Sequence, residues 1–381
     1  MTESSARDNR CRVSLVTTEL SVGGAEQCLV HLATRLDPDR FLPIVYALSP
    51  PPSPPRDELI RRLADAKVEV RFLGVRRRTQ LWTAVRKLTE FLGEQRPAIV
   101  QSFLFHANVV AAWAAQRARV PRLVTGWRVA DRRRWRPRLE RLLTRRADRV
   151  SCVSRWVADQ ARSAGFPEDK LVVIPNGVEA VRFRETAAIA CEQLGAAPGR
   201  KLLVAVGRLD AQKGFDWLLE QAPRLLDELP EHDLAIVGEG PERRALETAV
   251  AQRNLTGRVH LPGWRADVPA VLSAASLVVI PSRWEGMSNV LLEAMASRRP
   301  VVATRAEGVL DVLGPLAEAQ SVVWGDQVGF VAKVVAIARD KRLALYLGAE
   351  NAARVAQSFT LDAMVRAYST LYDELAERTP S

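Results

Sequence analysis

Cysteine and histidine are both scarce. Four cysteines (Cys11, Cys28, Cys152, Cys191) and four histidines (His31, His106, His232, His260) are scattered over 381 residues. No two cysteines form a C-x-x-C pair, and none stands at metal-ligand spacing from a histidine, so a zinc site is not expected. The thiols read as reduced and mostly buried. Any run of about 18 apolar residues is also missing, which excludes a membrane-spanning helix. The first ten residues are polar and lack the apolar stretch of a secretory signal. A soluble, cytoplasmic protein is the expectation.

A hydrophobic content of 48% and a charged content of 26% describe a folded protein, not a disordered one. The length suits two domains of roughly 150–200 residues each. The net charge of +11 points to an anionic partner: nucleic acid, a membrane surface or a phosphorylated substrate. Arg76-Arg77-Arg78 and the Asp131–Arg138 stretch carry much of it, both in the first half. No nucleic-acid recognition motif accompanies the charge, and no nucleic acid is expected as a partner.

Short β-branched runs alternate with helical patterns through the chain. Strands are predicted at Arg12–Thr17, Leu42–Leu48, Val68–Leu73, Ala98–Phe103, Arg122–Thr125, Arg149–Val153 and Leu171–Ile174. A polar, Ala-rich segment then leads to Pro198-Gly199, and the alternation restarts. Further strands are predicted at Lys201–Val206, Asp233–Val237, Arg258–Leu261, Leu277–Ile280 and Pro300–Ala303, ahead of a closing amphipathic helix at Leu361–Glu377. Such alternation predicts two doubly wound, Rossmann-like parallel-sheet domains. Residues 1–190 are assigned to the first and 191–360 to the second, with the closing helix, 361–378, packing back on the first. Ligands of such sheets bind beyond the carboxyl ends of the strands, so function is sought in strand-to-helix loops.

Two loops in the second half carry the most chemistry. Pro281-Ser282-Arg283-Trp284-Glu285-Gly286-Met287-Ser288 joins an apolar strand to a helix bearing Asn289 and Glu293. A helix N-terminus offers unpaired N–H groups to a diphosphate, Gly286 lets backbone come close, and carboxylates can accept hydroxyls. The second loop, Gly207-Arg208-Leu209-Asp210-Ala211-Gln212-Lys213-Gly214, holds two cations on a glycine-flanked turn. Arg208 can make bidentate contacts to phosphate oxygens, and Lys213 can add a point charge.

Together these loops resemble the retaining GT-B glycosyltransferases of family 4, and the resemblance covers nearly the whole chain. Glu285 and Glu293, with seven residues between them, look like that family's E-x7-E motif. The resemblance implies two facing domains with a cleft between them and a nucleotide-sugar donor, UDP- or GDP-linked. It implies that Glu285 contacts the donor sugar, that Glu293 holds the ribose, and that Arg208 and Lys213 bind the diphosphate. Backbone at Gly286, Met287, Ser288 and Asn289 would face the sugar and phosphate, and Gly263-Trp264-Arg265 would meet the base. In the first half, Gly23 and Gly24 resemble the family's acceptor-side glycine loop and are grouped with the donor contacts. Glu26 either touches the acceptor or caps its helix. His106 is similar to the family's cleft histidine and is expected to orient the donor sugar. One segment departs: after Thr304 the family's Gly-Gly-x-x-Glu becomes Glu307-Gly308-Val309-Leu310-Asp311, which leaves the sugar's identity open.

Transfer of a hexose or N-acetylhexosamine to a glycan or lipid-linked acceptor, with retention, is the implied reaction. No metal and no cofactor are expected. Asp37-Pro38-Asp39, formally a D-x-D, reads as a helix-end turn. The basic segment Arg132–Arg149, with Trp135, Leu139, Leu142 and Leu143, reads as an amphipathic helix for an anionic membrane surface at the inner face of the cytoplasmic membrane. A monomer or weak dimer is expected. The rival readings are a GT-B-type nucleotide-sugar epimerase and a non-catalytic sugar-nucleotide binding module.

Overall fold

The computed structural model describes residues 10–377, except 22, 55, 78–79 and 129–134. It divides into two compact units, residues 1–175 with 361–381, and residues 176–360. The division falls at Pro175/Asn176, ahead of residue 190. The stretch between includes a short helix, Ala180–Glu185, that packs in the second unit against the helices Val268–Ala274 and Asn289–Ala296.

The first unit is a seven-stranded parallel sheet. Its strands are β1 (Cys11–Thr17), β2 (Phe41–Ala47), β3 (Glu69–Phe72), β4 (Ile99–Phe103), β5 (Arg122–Trp127), β6 (Arg149–Cys152) and β7 (Leu171–Val173). Their order is β3-β2-β1-β4-β5-β6-β7. Strand period two sorts the core onto the two faces. Val13, Leu15, Val45 and Ala47 join one apolar cluster, while Val16, Ile44 and Tyr46 join the other. The first cluster is closed by the helix Gly24–Arg35 and by Leu361–Glu377, whose Met364, Tyr368 and Tyr372 are buried against it. The second is closed by Leu81–Gln95 and Phe105–Arg117.

The second unit is a six-stranded parallel sheet of β8 (Lys201–Val206), β9 (His232–Val237), β10 (Val259–Gly263), β11 (Leu277–Ile280), β12 (Val301–Thr304) and β13 (Ser321–Val322). Its order is β10-β9-β8-β11-β12-β13. The two-residue β13 and the helix Lys341–Ser358 carry patterns too weak to predict. That helix exposes Leu345 and Tyr346, so its apolar residues do not form one stripe.

In each sheet the strand order reverses once: between β1 and β4 in the first unit, and between β8 and β11 in the second. The crevice at such a reversal is where doubly wound sheets bind ligands. The sequence-predicted residues Gly23, Gly24 and His106 follow β1 and β4. Arg208, Lys213, Glu285 and Glu293 follow β8 and β11.

Candidate active site

At the carboxyl edge of the second sheet the segments that follow β8, β9 and β10 are tied to one another through backbone. The Gly207 N–H donates to Val237 O, the Leu209 N–H to Glu239 O and the Gly238 N–H to Gly263 O. Gly238 and Gly214 both have positive φ, at 150° and 66°. A Cβ on Gly238 would stand 1.8 Å from Gly207 O, and one on Gly214 would stand 2.1 Å from Pro281 O. Only glycine fits either place. Gly238-Glu239-Gly240-Pro241 is therefore a structural turn supporting the Gly207–Gly214 loop.

The functional side chains meet at the reversal. Lys213 Nζ donates to Glu285 Oε1 at 2.6 Å, joining the β8 loop to the β11 loop. Ser282 Oγ donates to the same oxygen at 2.8 Å. Gln212 Nε2 donates to Trp284 O at 3.0 Å, and the Arg283 N–H donates back to Gln212 O at 2.8 Å. Glu285 is buried, and its own N–H donates to Glu307 Oε2 at 2.8 Å. Ser288 caps the helix Asn289–Ala296, its hydroxyl accepting from the Leu291 N–H. Met287 and Ser288 are buried beneath the helix tip. Asn176 holds the other side: its N–H donates to Met287 Sδ at 3.3 Å and its Nδ2 to Asn289 Oδ1 at 2.6 Å.

Glu293 lies on that helix, half-buried as a residue, with its carboxyl desolvated. Desolvation raises its pKa to about 7, against the pull of Arg182 and Lys213. A carboxylate in such surroundings gains most from hydroxyls that donate to it. Arg182, on the helix Ala180–Glu185, went unnoticed in the sequence, as did the bonds made by Asn176, Gln212, Ser282 and Glu307. All but Ser282, three residues from Glu285, sit far in sequence from the residues they meet, so only the fold could reveal them.

Arg208 stands apart from this cluster. It is two-thirds exposed and its Nε donates to Asp210 in its own loop. Gly263 ends β10, two strands from β8, and Trp264 and Arg265 follow it. Trp264 is exposed there, and Arg265 is forked onto Asp267 at 2.8 and 2.7 Å.

In the first unit, Gly23 caps the helix Gly24–Arg35 in extended conformation. The Glu26 carboxylate folds back over it, so that a Cβ on Gly23 would stand 2.4 Å from Glu26 Oε2. Glu26 is buried, unlike a solvated helix-end carboxylate. His106 is the second residue of its helix, edge-on to Phe105 at 5.3 Å between ring centres. Leu104, just before it, has φ 73°, a left-handed conformation uncommon outside glycine and found where a functional turn is over-determined by its surroundings.

Other expectations resolve as structure. The Asp37 carboxylate accepts from the Asp39 N–H at 3.0 Å, a turn closed on itself. The basic segment is corrected: helix covers only Trp135–Leu143, the chain returns to the sheet at Arg149, and Arg132–Arg134 lie outside the described residues. The residue that the helix Trp135–Leu143 buries is a glutamate. Glu140 accepts from Asn108 Nδ2 at 2.5 Å, while Trp135 and Leu142 are exposed. Among the described residues no group of three or more His, Cys, Asp or Glu side chains could hold a metal ion. No helix there is long and apolar enough to cross a membrane.

Comparison with known proteins agrees with this architecture. A family model described as Glycosyltransferase Family 4 matches residues 22–182, and one described as Glycosyl transferases group 1 matches residues 200–340. The lipopolysaccharide core biosynthesis glycosyltransferase LpsD of Rhizobium meliloti strain 1021 is 31% identical over 58% of this chain and 62% of its own length. The match thus spans about three fifths of that relative. The lipopolysaccharide core biosynthesis mannosyltransferase LpsB of the same organism is 28% identical over 78% of this chain and 80% of its own length. Among solved structures, Anabaena Alr3699/HepE in complex with UDP and glucose superposes with a TM-score of 0.84 at 21% identity, over 96% of this chain and 100% of that one, a likeness of fold. With a family match on each α/β unit and the two doubly wound sheets, the chain belongs to the GT-B glycosyltransferases of family 4 type.

Proposed function

We propose that the chain transfers a hexose or N-acetylhexosamine from a UDP- or GDP-linked donor to a glycan or lipid-linked acceptor, with retention of anomeric configuration. The observation that carries this reading is the Lys213–Glu285 contact at the β8/β11 reversal, with Glu293 desolvated on the adjoining helix. In this reading the diphosphate takes Lys213 from Glu285. The freed carboxylate accepts hydroxyls of the donor sugar, and Glu293 accepts those of the ribose. Arg208 swings from Asp210 to the phosphate, which its exposure allows. Backbone at Gly286, Met287, Ser288 and Asn289 faces the sugar and phosphate, and Gly263, Trp264 and Arg265 face the base.

A fixed cation at the leaving diphosphate stabilises the charge that develops there and contributes about 3 kcal/mol. With two protein cations in that role, no metal and no cofactor are required. In the first unit Gly23, Gly24 and His106 are assigned to donor contacts and Glu26 to an acceptor contact. The relatives' part in lipopolysaccharide core biosynthesis supports an acceptor on a cell-surface glycan or glycolipid. The exposed Trp135 and Leu142 among arginines support peripheral binding to an anionic inner membrane face.

The test is calorimetric titration of UDP and GDP, then nucleoside-diphosphate release from a donor panel with and without lipid-linked acceptors, in EDTA. Saturable nucleotide binding that Lys213→Ala and Glu293→Ala abolish, with acceptor-dependent release in EDTA, is expected. Release that needs no acceptor, or binding untouched by either variant, overturns the reading.

A further inference from the structure

A second carboxylate reaches the turn that Glu285 occupies. Glu307 Oε2 accepts the Glu285 N–H at 2.8 Å. The next residue, Gly308, has φ 75° and lies against the same turn, where a Cβ would stand 2.3 Å from Gly286 O. The segment after β12 therefore meets this turn at two backbone points, the Glu285 N–H and the Gly286 carbonyl.

Cations near this turn are already engaged by other carboxylates. Lys213 is on Glu285 at 2.6 Å, Arg283 on Asp216 at 2.5 Å and Arg305 on Glu318 at 2.6 Å. The turn presents two carboxylates and one ammonium, with no arginine fork directed at it among these contacts. Hydroxyl, acetamido and amino groups donate to carboxylates and suit such a surface. A sugar bearing its own carboxylate brings a like charge into a half-buried place and finds no partner.

We infer that Glu307 is a specificity-determining residue for the donor sugar: it admits neutral and amino sugars and rejects uronates. The inference rests on the proposed placement of the donor sugar against Glu285–Met287. Its test therefore varies the sugar while holding the nucleotide fixed. UDP-glucose is compared with UDP-glucuronate, and GDP-mannose with GDP-mannuronate, by calorimetric titration of the full chain. UDP and GDP alone serve as the reference.

For the nucleotide that binds, the wild type is expected to prefer the neutral sugar by about tenfold or more, the equivalent of 1.4 kcal/mol. Glu307→Gln keeps an oxygen that accepts the Glu285 N–H and removes the charge. It is expected to hold the neutral donor within about twofold and to lose most of the discrimination, so that its uronate affinity rises by about tenfold. Thermal melts of Glu307→Gln and Glu307→Ala check that the turn is intact. Equal affinity of the wild type for both sugars overturns the inference. So does a glutamine variant with unchanged discrimination, which would make Glu307 only a support for the turn. If neither UDP nor GDP binds the wild type, the donor assignment fails first and takes this inference with it.

Discussion

Replacing Lys213 with methionine keeps the length and apolar stem of the side chain and deletes one charge. Two consequences follow, and they can be measured apart. The first is on stability. In the free protein the Lys213 side chain is 21% exposed and that of Glu285 6% exposed. A fully exposed pair contributes about 0–1 kcal/mol, while breaking a fully buried one from one side costs about 3–5 kcal/mol. Ser282 Oγ still donates to the orphaned carboxylate, so the loss should lie between these limits, at about 2 kcal/mol. That lowers the thermal midpoint by about 4–8 °C. Adding Glu285→Gln removes the stranded charge, and the double variant should recover part of the loss. The second consequence is on transfer. Without its cation the leaving diphosphate loses about 3 kcal/mol of stabilisation, which is about 100-fold in rate. The double variant should not recover this. The assays are differential scanning calorimetry and nucleoside-diphosphate release with a competent donor and acceptor. A Lys213→Met protein that melts as the wild type and turns over at the wild-type rate refutes both the ion pair's contribution and the lysine's role.

Three further outcomes follow from the same geometry. Glu293, raised to about 7 by burial, holds a proton in the folded chain that it loses near its ordinary carboxyl value when unfolded. Stability should therefore fall as pH rises from about 4.5 to 7, by up to about 3 kcal/mol, and Glu293→Gln should flatten that slope in urea melts. Nucleotide affinity should run the opposite way, rising through pH 7 with proton release, which titrations in buffers of different ionisation enthalpy detect. Gly214→Ala puts a Cβ on Pro281 O at a positive φ and should cost at least about 2 kcal/mol while weakening nucleotide binding; an unchanged melt would mean the two loops part without cost. Asp233, at the amino end of β9, accepts from Arg200, Arg258 and His260, which lower its pKa below the ordinary carboxylate value despite burial. This contribution is present above the unfolded value near 4 and is lost as pH falls through the folded one. Asp233→Asn should cost about 2–4 kcal/mol at pH 7 and leave UDP and GDP affinity unchanged.

Strand and helix placement was legible because each element carries its own period. Lys201–Val206, Leu277–Ile280 and Leu361–Glu377 form over the residues their patterns mark. The E-x7-E spacing was legible for a related reason: both glutamates belong to one strand-to-helix unit, so their separation in space follows from local geometry. The basic segment misled in its extent: the helix stops at Leu143 and not at Arg149. Its leucines and arginines alternate as an amphipathic helix should, yet the residue that helix buries is Glu140, where Asn108 on a neighbouring helix offers an amide to it. A stripe read from one helix cannot know the polar group that waits on another. Lys341–Ser358 escaped for the opposite reason, its apolar residues being divided between buried Leu347 and Val355 and exposed Leu345 and Tyr346.

The supporting residues were illegible on physical grounds. Asn176 and Glu307 reach the Glu285–Asn289 turn from other loops, and neither lies within a helical or strand repeat of it. Glu307 is brought there by the glycine beside it, Gly308. Read locally, Gly214, Gly238 and Gly308 are ordinary turn residues. In the fold each marks a place where one loop's backbone lies against a carbonyl of another: Pro281, Gly207 and Gly286. These contacts run along the carboxyl edge from β9 to β12 and leave little room for one loop to move alone. Lys213 precedes Gly214, and Glu307 precedes Gly308. Two of the charged side chains at the turn, Lys213 and Glu307, thus each stand beside a glycine whose close backbone approach fixes where its loop lies in the free chain.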